Sequence, residues 1–288
     1  MKIDSDDFCV KEGRKTKLKN WPTLIKPFYR SKEEYREFLQ KNICELTELQ
    51  RLYYASNRYA LLLIFQGMDG SGKDGAISHV MSGINPQGCS VYNFKQPSAE
   101  ELSHDFLWRE ACRLPERGHI GIFNRSYYEE VAVVRVHPEL LRNEGFQKKD
   151  DNKDFWDNRY RSIVNFEDHL HRNKTKIVKF YLHLSQEEQK KRLIARIDKP
   201  EKNWKLSTAD LQERKYWAQY IRAYEECFSA TSTKHSPWYI IPADDKENAR
   251  LIISQIVLYT FHEFKLSYPK ITPEHEKELK IIRKQLME

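Results

Sequence analysis

The chain alternates short apolar runs with longer segments in which apolar residues recur every three or four positions. The runs YALLLIF (59–65), VYNF (91–94), HIGIF (119–123), IVKFYLHL (177–184) and WYII (238–241) have the length of strands. The first is apolar almost throughout, as a strand covered on both faces must be. Helical spacing fills the segments 74–82, 99–113, 154–172, 186–197, 209–228 and 247–264. Strands separated by helices predict right-handed crossovers, hence a five-stranded parallel sheet in a three-layer α/β/α sandwich. Ahead of the first strand, Ser31 and Glu34 give a capping-box signature for a helix with Tyr35, Phe38, Leu39, Ile43, Leu46, Leu49 and Leu52 at helical spacing. Thr272-Pro273 opens a last helix with Leu279, Ile282 and Leu286 along one side, a stripe suited to the core or to a second subunit.

With 288 residues, 40% of them apolar, and no Gly/Ser- or Pro-rich linker, the sequence predicts one folded unit. Residues 1–56 form an extension and helix, and 265–288 a terminal helix. An excess of 49 Lys and Arg over 42 Asp and Glu gives a net charge of +7, which favours anionic partners without amounting to a nucleic-acid arm. Five scattered cysteines, Cys9, Cys44, Cys89, Cys112 and Cys227, give neither a zinc spacing nor a disulfide frame. The opening MKIDSDDF has no apolar signal core and 60–65 is far too short to span a bilayer, so a cytoplasmic protein with no membrane partner is expected.

The chemistry concentrates after the first strand, in FQGMDGSGKDG. Gly67, Gly72 and Lys73 fit the phosphate-loop spacing G-x-x-x-x-G-K, and the loop between them runs through Met68, Asp69, Gly70 and Ser71. Glycines let backbone amides converge on phosphate oxygens, and the following helix aims its positive end at them. The hydroxyl residue expected after the lysine is replaced by Asp74. Two carboxylates beside phosphate repel it, by about 1 kcal/mol per contact even in water. Mg²⁺, which prefers carboxylate and phosphate oxygens, removes the conflict and makes Asp69 a candidate ligand. Orienting or deprotonating the attacking phosphate is the other role open to Asp69, and Asp74 reads equally well as a first-turn helix acid.

Ligand groups in open parallel sheets collect past the carboxyl ends of the strands. Asn124 and Arg125 stand there after the third run, with Arg135 a segment later as a second bidentate phosphate donor. Glu129 and Glu130 read as helix residues, and Glu130 as a solvated one. Arg192 and Arg196 share a helix face and are followed by Lys199, Lys202 and Lys205, which suggests a basic lid over about 185–225. Lys95 and Arg109 extend a possible anion track, while His104 and Trp108 read as packed helix residues.

The stretches GMDGSGKDG, FKQPSAEELSHDFLWR, GIFNRSYYEEVAVVRVHPE, NWKLSTADLQER and SPWYIIPADDK, in this order, resemble polyphosphate kinases of the second type. The triplet Asn124-Arg125-Ser126 with Tyr128-Glu129 resembles their class III subgroup, associated with both nucleoside mono- and diphosphates. The resemblance implies a thymidylate-kinase-like phosphate-loop core, Mg²⁺, polyphosphate as donor, and AMP, ADP and ATP as nucleotides. By match it gives Asp69, Lys73 and Arg125 the phosphate-handling roles and the helix from Arg192 to Arg196 the lid. A homo-oligomer is expected. An ATP-dependent nucleoside monophosphate kinase and a basic nucleic-acid-binding module are the competing readings, the second weakened by the absence of a basic tail.

Overall fold

The computed structural model describes residues 3–205 and 208–288, apart from the side chains of residues 202, 205, 209 and 210. Helix α1 (Lys32–Ser56) starts where expected: Ser31 Oγ accepts from the Glu34 amide. The Glu34 carboxylate, however, accepts from the amide of Arg30, not of Ser31, so the return half of the box is shifted by one residue. Tyr35, Leu39, Ile43, Leu46 and Tyr53 form the buried stripe. Strand β1 (Ala60–Gln66) follows, buried at every position. Helix α2 (Lys73–Val80), β2 (Cys89–Asn93), the single-turn helices α3 (Ala99–Leu102) and α4 (Trp108–Ala111), β3 (Ile120–Asn124) and α5 (Glu129–Val136) complete the first half. The second half runs α6 (Lys153–Arg172), β4 (Thr175–His183), α7 (Gln186–Ile197), α8 (Thr208–Glu213), α9 (Trp217–Thr231), β5 (Trp238–Pro242), α10 (Lys246–Glu263) and α11 (Pro273–Met287).

The strands lie in the order β2-β3-β1-β4-β5, and every ladder is parallel. Period-two alternation along β1 sends Leu62 and Ile64 to one face and Leu61, Leu63 and Phe65 to the other. The first face packs on α5, α6 and α9 through Val131, Ile163 and Phe228; the second packs on α1, α2 and α10 through Leu46, Ile77 and Ile252. Each such fully buried aliphatic or aromatic side chain contributes about 1.5–3 kcal/mol. This is the α/β/α sandwich the apolar runs predict. The N-terminal residues close one edge: the Val10 amide donates to the Trp238 carbonyl, and Cys9 bridges Tyr239.

A fully buried lysine stands in the middle of β4. Lys179, at 0% exposure, donates to Glu167 on α6 (2.6 Å), the Tyr128 hydroxyl (2.9 Å) and the Thr231 carbonyl at the end of α9 (2.8 Å). Full pairing is what makes a buried ammonium tolerable, and it pins α6 and α9 to the sheet.

Two expected helices are broken. Within 99–113, Ser103 Oγ and His104 Nδ1 both bond the Glu100 carbonyl, and Asp105 accepts from the Leu107 amide, so side chains compete with the helical ladder and end α3. His104 is therefore in a turn, its ring stacked on Trp108 with centroids 3.9 Å apart. Within 209–228 a 3-10 turn, Arg214–Tyr216, separates α8 from α9.

The chain enters the sheet at β1 and then builds outward on both sides, to β3 and to β4. That reversal opens a crevice at the carboxyl end of β1, where ligands bind in folds of this kind.

Candidate active site

The turn after β1 depends on two glycines. Gly67 has φ 149°, and a Cβ there would lie 2.8 Å from Ser71 Oγ and 3.0 Å from the Leu182 carbonyl oxygen, so no side chain fits. Gly72, at φ 101°, is the N-cap of α2. Between them the Ser71 amide donates to the Met68 carbonyl, and the Ser71 hydroxyl is buried against Gly67. The ladder of α2 begins with the Ala76 amide on the Gly72 carbonyl, so the first-turn amides have no acceptor in their own helix and stand at its positive end.

The carbonyls of this loop are all engaged. Lys73 Nζ donates to Gly67 O (2.6 Å) and Met68 O (3.5 Å). From α7, Gln189 Nε2 donates to Asp69 O (2.8 Å), and Arg192 Nη1 to Gly70 O and Ser71 O (both 3.0 Å). Arg192 is held in turn by Glu188 (2.9 Å) and by the carbonyls of Ala243 and Asp244 just past β5 (2.5 and 3.0 Å). A trans peptide sets its N–H opposite its C=O. Drawing the Asp69 and Ser71 carbonyls toward α7 therefore turns the amides of Gly70 and Gly72 to the other side.

The two aspartates each have a protein partner. Arg125 Nη2 donates to Asp69 Oδ1 at 2.9 Å, and Asn124 Nδ2 donates to Asp74 Oδ1 at 2.8 Å. Arg125 is placed by a left-handed backbone, φ 65°, directly after β3, with its amide on the Phe65 carbonyl. Glu129, the first residue of α5, lies 3.7 Å from Arg125 Nη1, and it is the main reason the Arg125 pKa is raised. Lys73 is buried, which pushes its pKa down to about 8; the nearby Arg125 charge adds to this, while Asp69, Glu129 and Asp74 oppose it.

Beside Arg125 a cavity of about 410 Å³ opens, lined among others by Lys95, Arg109, Glu129, His137 and Glu213. Arg109 is buried, paired with Glu110 (3.1 Å) and donating to the Lys95 carbonyl (2.8 Å). Burial pushes the Glu110 pKa up to about 8, against the pull of Arg109. Across the mouth, Glu213 at the end of α8 accepts from Tyr220 (2.6 Å) and lies 3.0 Å from His137 Nε2.

The structure thus brings Gly67 to Asp74, Asn124 and Arg125 together at the end of β1, with Arg192 packed against the loop and Lys95 and Arg109 in the adjoining cavity. Arg135 is not part of this group. Its guanidinium lies over the Trp156 ring at 4.7 Å and 3.4 Å from Glu226, lining a different cavity with Lys15 and Lys17, because α5 carries it away from the strand end. Glu130 is not solvated either: it is buried and accepts from Arg159 (3.2 Å), and burial with the neighbouring Glu144 raises its pKa. Arg196 is partly exposed near the end of α7. Lys205 closes a 3-10 turn, and its side chain lies outside the described residues. Sequence reasoning missed Gln189, three residues before Arg192 on the same helix face, and the bridge from His137 to Glu213, for which no local pattern exists.

A parallel sheet whose first strand feeds a lysine-bearing Gly-rich loop defines a phosphate-loop kinase. More narrowly, the chain belongs to the polyphosphate kinase 2 family: the model described as Polyphosphate kinase 2 (PPK2) matches residues 29–268. An ADP-polyphosphate phosphotransferase of Rhodopseudomonas palustris is 60% identical over the whole of both chains. An AMP/ADP-polyphosphate phosphotransferase of Meiothermus ruber is 40% identical over 81% of this chain and 83% of its own. The crystal structure of polyphosphate kinase 2 from Arthrobacter aurescens TC1 superposes with a TM-score of 0.85 at 37% identity, covering 96% of each chain.

Proposed function

We propose that the protein reversibly transfers the terminal phosphoryl group of inorganic polyphosphate to ADP and to AMP, with Mg²⁺. The observation that carries this reading is the loop itself: amides turned outward by Gln189 and Arg192, with Lys73 and the Arg125–Asp69 pair beside it and an adjoining cavity that holds Lys95 and Arg109. The family and the two named relatives support polyphosphate as donor and adenine nucleotides as acceptors.

Phosphoryl transfer asks the protein mainly for alignment and charge stabilisation. The Gly70 and Gly72 amides, Lys73 and Arg125 receive the oxygens of the transferring group, and Lys95 and Arg109 take the acceptor side. Binding of a phosphate draws Lys73 from the Gly67 carbonyl. The attacking oxygen belongs to an already ionised phosphate, so no strong protein base is required. Asp69, beside Arg125, and Asp74, beside Asn124 at the end of β3, would be the carboxylates to hold the ion, which takes one or two carboxylates together with phosphate oxygens. Bound there, such an ion would neutralise phosphate charge. With Arg192 anchored to the loop, the part of the lid free to close begins beyond it, with Arg196 and α8.

The test is purified protein with Mg²⁺ and polyphosphate, and AMP or ADP in separate reactions, products resolved. The reading expects ADP from AMP and ATP from ADP. Nucleotide phosphorylation only from ATP would refute it.

A further inference from the structure

Helix α11 lies past the family match, which ends at residue 268, yet the R. palustris relative aligns through it. It is a well-formed helix: Thr272 Oγ1 caps the His275 amide, Pro273 occupies the first turn, and Lys280 pairs with Glu276 at 3.2 Å. All of its residues are exposed. A lone helix of this length is marginal in water, and its stability comes from covering an apolar face. Leu279, Ile282 and Leu286 form such a face, spaced three and four apart as in a coiled-coil seam, at 41, 41 and 82% exposure. Tyr268 and Ile271, at its root, are exposed as well.

The charges are not distributed evenly. Glu274, Glu276 and Glu278, with Lys277 among them, leave the first half net acidic; Lys280, Arg283 and Lys284 make the second half basic. A partner helix running the opposite way with the same sequence answers this pattern, because it sets each acidic half beside a basic half and opposes the two helix dipoles. A parallel copy would set acid beside acid.

We propose that α11 pairs antiparallel with α11 of a second copy of this chain. In this register Leu279 of each copy meets Ile282 of the other near the two-fold axis. The flanking Glu276 of each copy then meets Arg283 of the other, twice by symmetry. No residue of the phosphate loop is involved, so the proposal stands or falls apart from the reaction.

Light scattering on the full chain, on a chain ending at residue 270, and on Glu276→Arg, Arg283→Glu and the double exchange tests it. The expected result is an assembly whose mass halves on truncation. Each single reversal should weaken association about tenfold, and the double exchange should restore it. A monomeric full-length chain, a truncated chain that keeps the assembly, or a double exchange no better than the singles overturns the proposal.

Discussion

Arg192 reaches from α7 to Gly70 and holds its carbonyl at 3.0 Å, with the same Nη1 on Ser71. The side chain is 6% exposed, and its other nitrogens are taken by Glu188, Ala243 and Asp244. It therefore acts behind the loop, setting the direction of the amides. Lysine cannot reproduce the fork. Arg192→Lys should raise KM for polyphosphate and lower kcat by about tenfold or more. It should also cost about 1.5–3 kcal/mol of stability, the worth of charged hydrogen bonds, seen as a lower melting temperature. A variant with wild-type kinetics would show that the loop holds its shape without the clamp.

Asp69 and Arg125 form one of two side-chain contacts that tie the phosphate-loop motif to the end of β3, the other being Asp74 with Asn124. Asp69→Asn keeps the shape but removes the charge. We expect turnover to fall about 100-fold or more, the range typical for loss of a preorganised electrostatic group, with little change in melting temperature because the pair is more than a third exposed. Steady-state rates with and without added Mg²⁺ check this.

The sheet, its five strands and the loop were readable because β1 is apolar without interruption and the glycines fall directly after it. The aspartate puzzle was only half readable. Composition shows that Asp69 and Asp74 need counter-charge or donors, but which groups supply them depends on β3 lying beside β1, which joins residues 50 and 56 apart. Arg192 and Arg135 mislead for related reasons. A basic residue on a helix looks the same whether it faces solvent, an aromatic ring or four backbone carbonyls, and only packing decides.

Asn124 donates to Asp74, so an aspartate at 124 would place two carboxylates at 2.8 Å. Their repulsion is about 1 kcal/mol in water and larger where water is partly excluded. Asn124→Asp should melt a few degrees lower in chelator, and Mg²⁺ should recover more of that loss than it adds to the wild type. Thermal melts at several Mg²⁺ concentrations measure both.

Lys73 carries a pH prediction with a definite sign. Its pKa is about 8 in the folded protein against an ordinary 10.5. Between these values the unfolded chain holds a proton that the folded chain has lost, so stability of the free protein rises with pH across that window. Below pH 8 the burial cost is present in full. Phosphate binding favours the ammonium form, so kcat/KM should fall above about pH 8 while kcat persists to higher pH. Lys73→Met should be more stable than wild type at pH 7, by up to about 3 kcal/mol at 1.36 kcal/mol per unit.

The most direct measurement compares ATP formation from ADP and polyphosphate by the wild type, Lys73→Met and Arg135→Ala. Phosphate handling at the loop, and not in the cavity under Arg135, predicts that the first variant is inactive and the second stays within about threefold of wild type. An active Lys73→Met, or an inactive but folded Arg135→Ala, would contradict it.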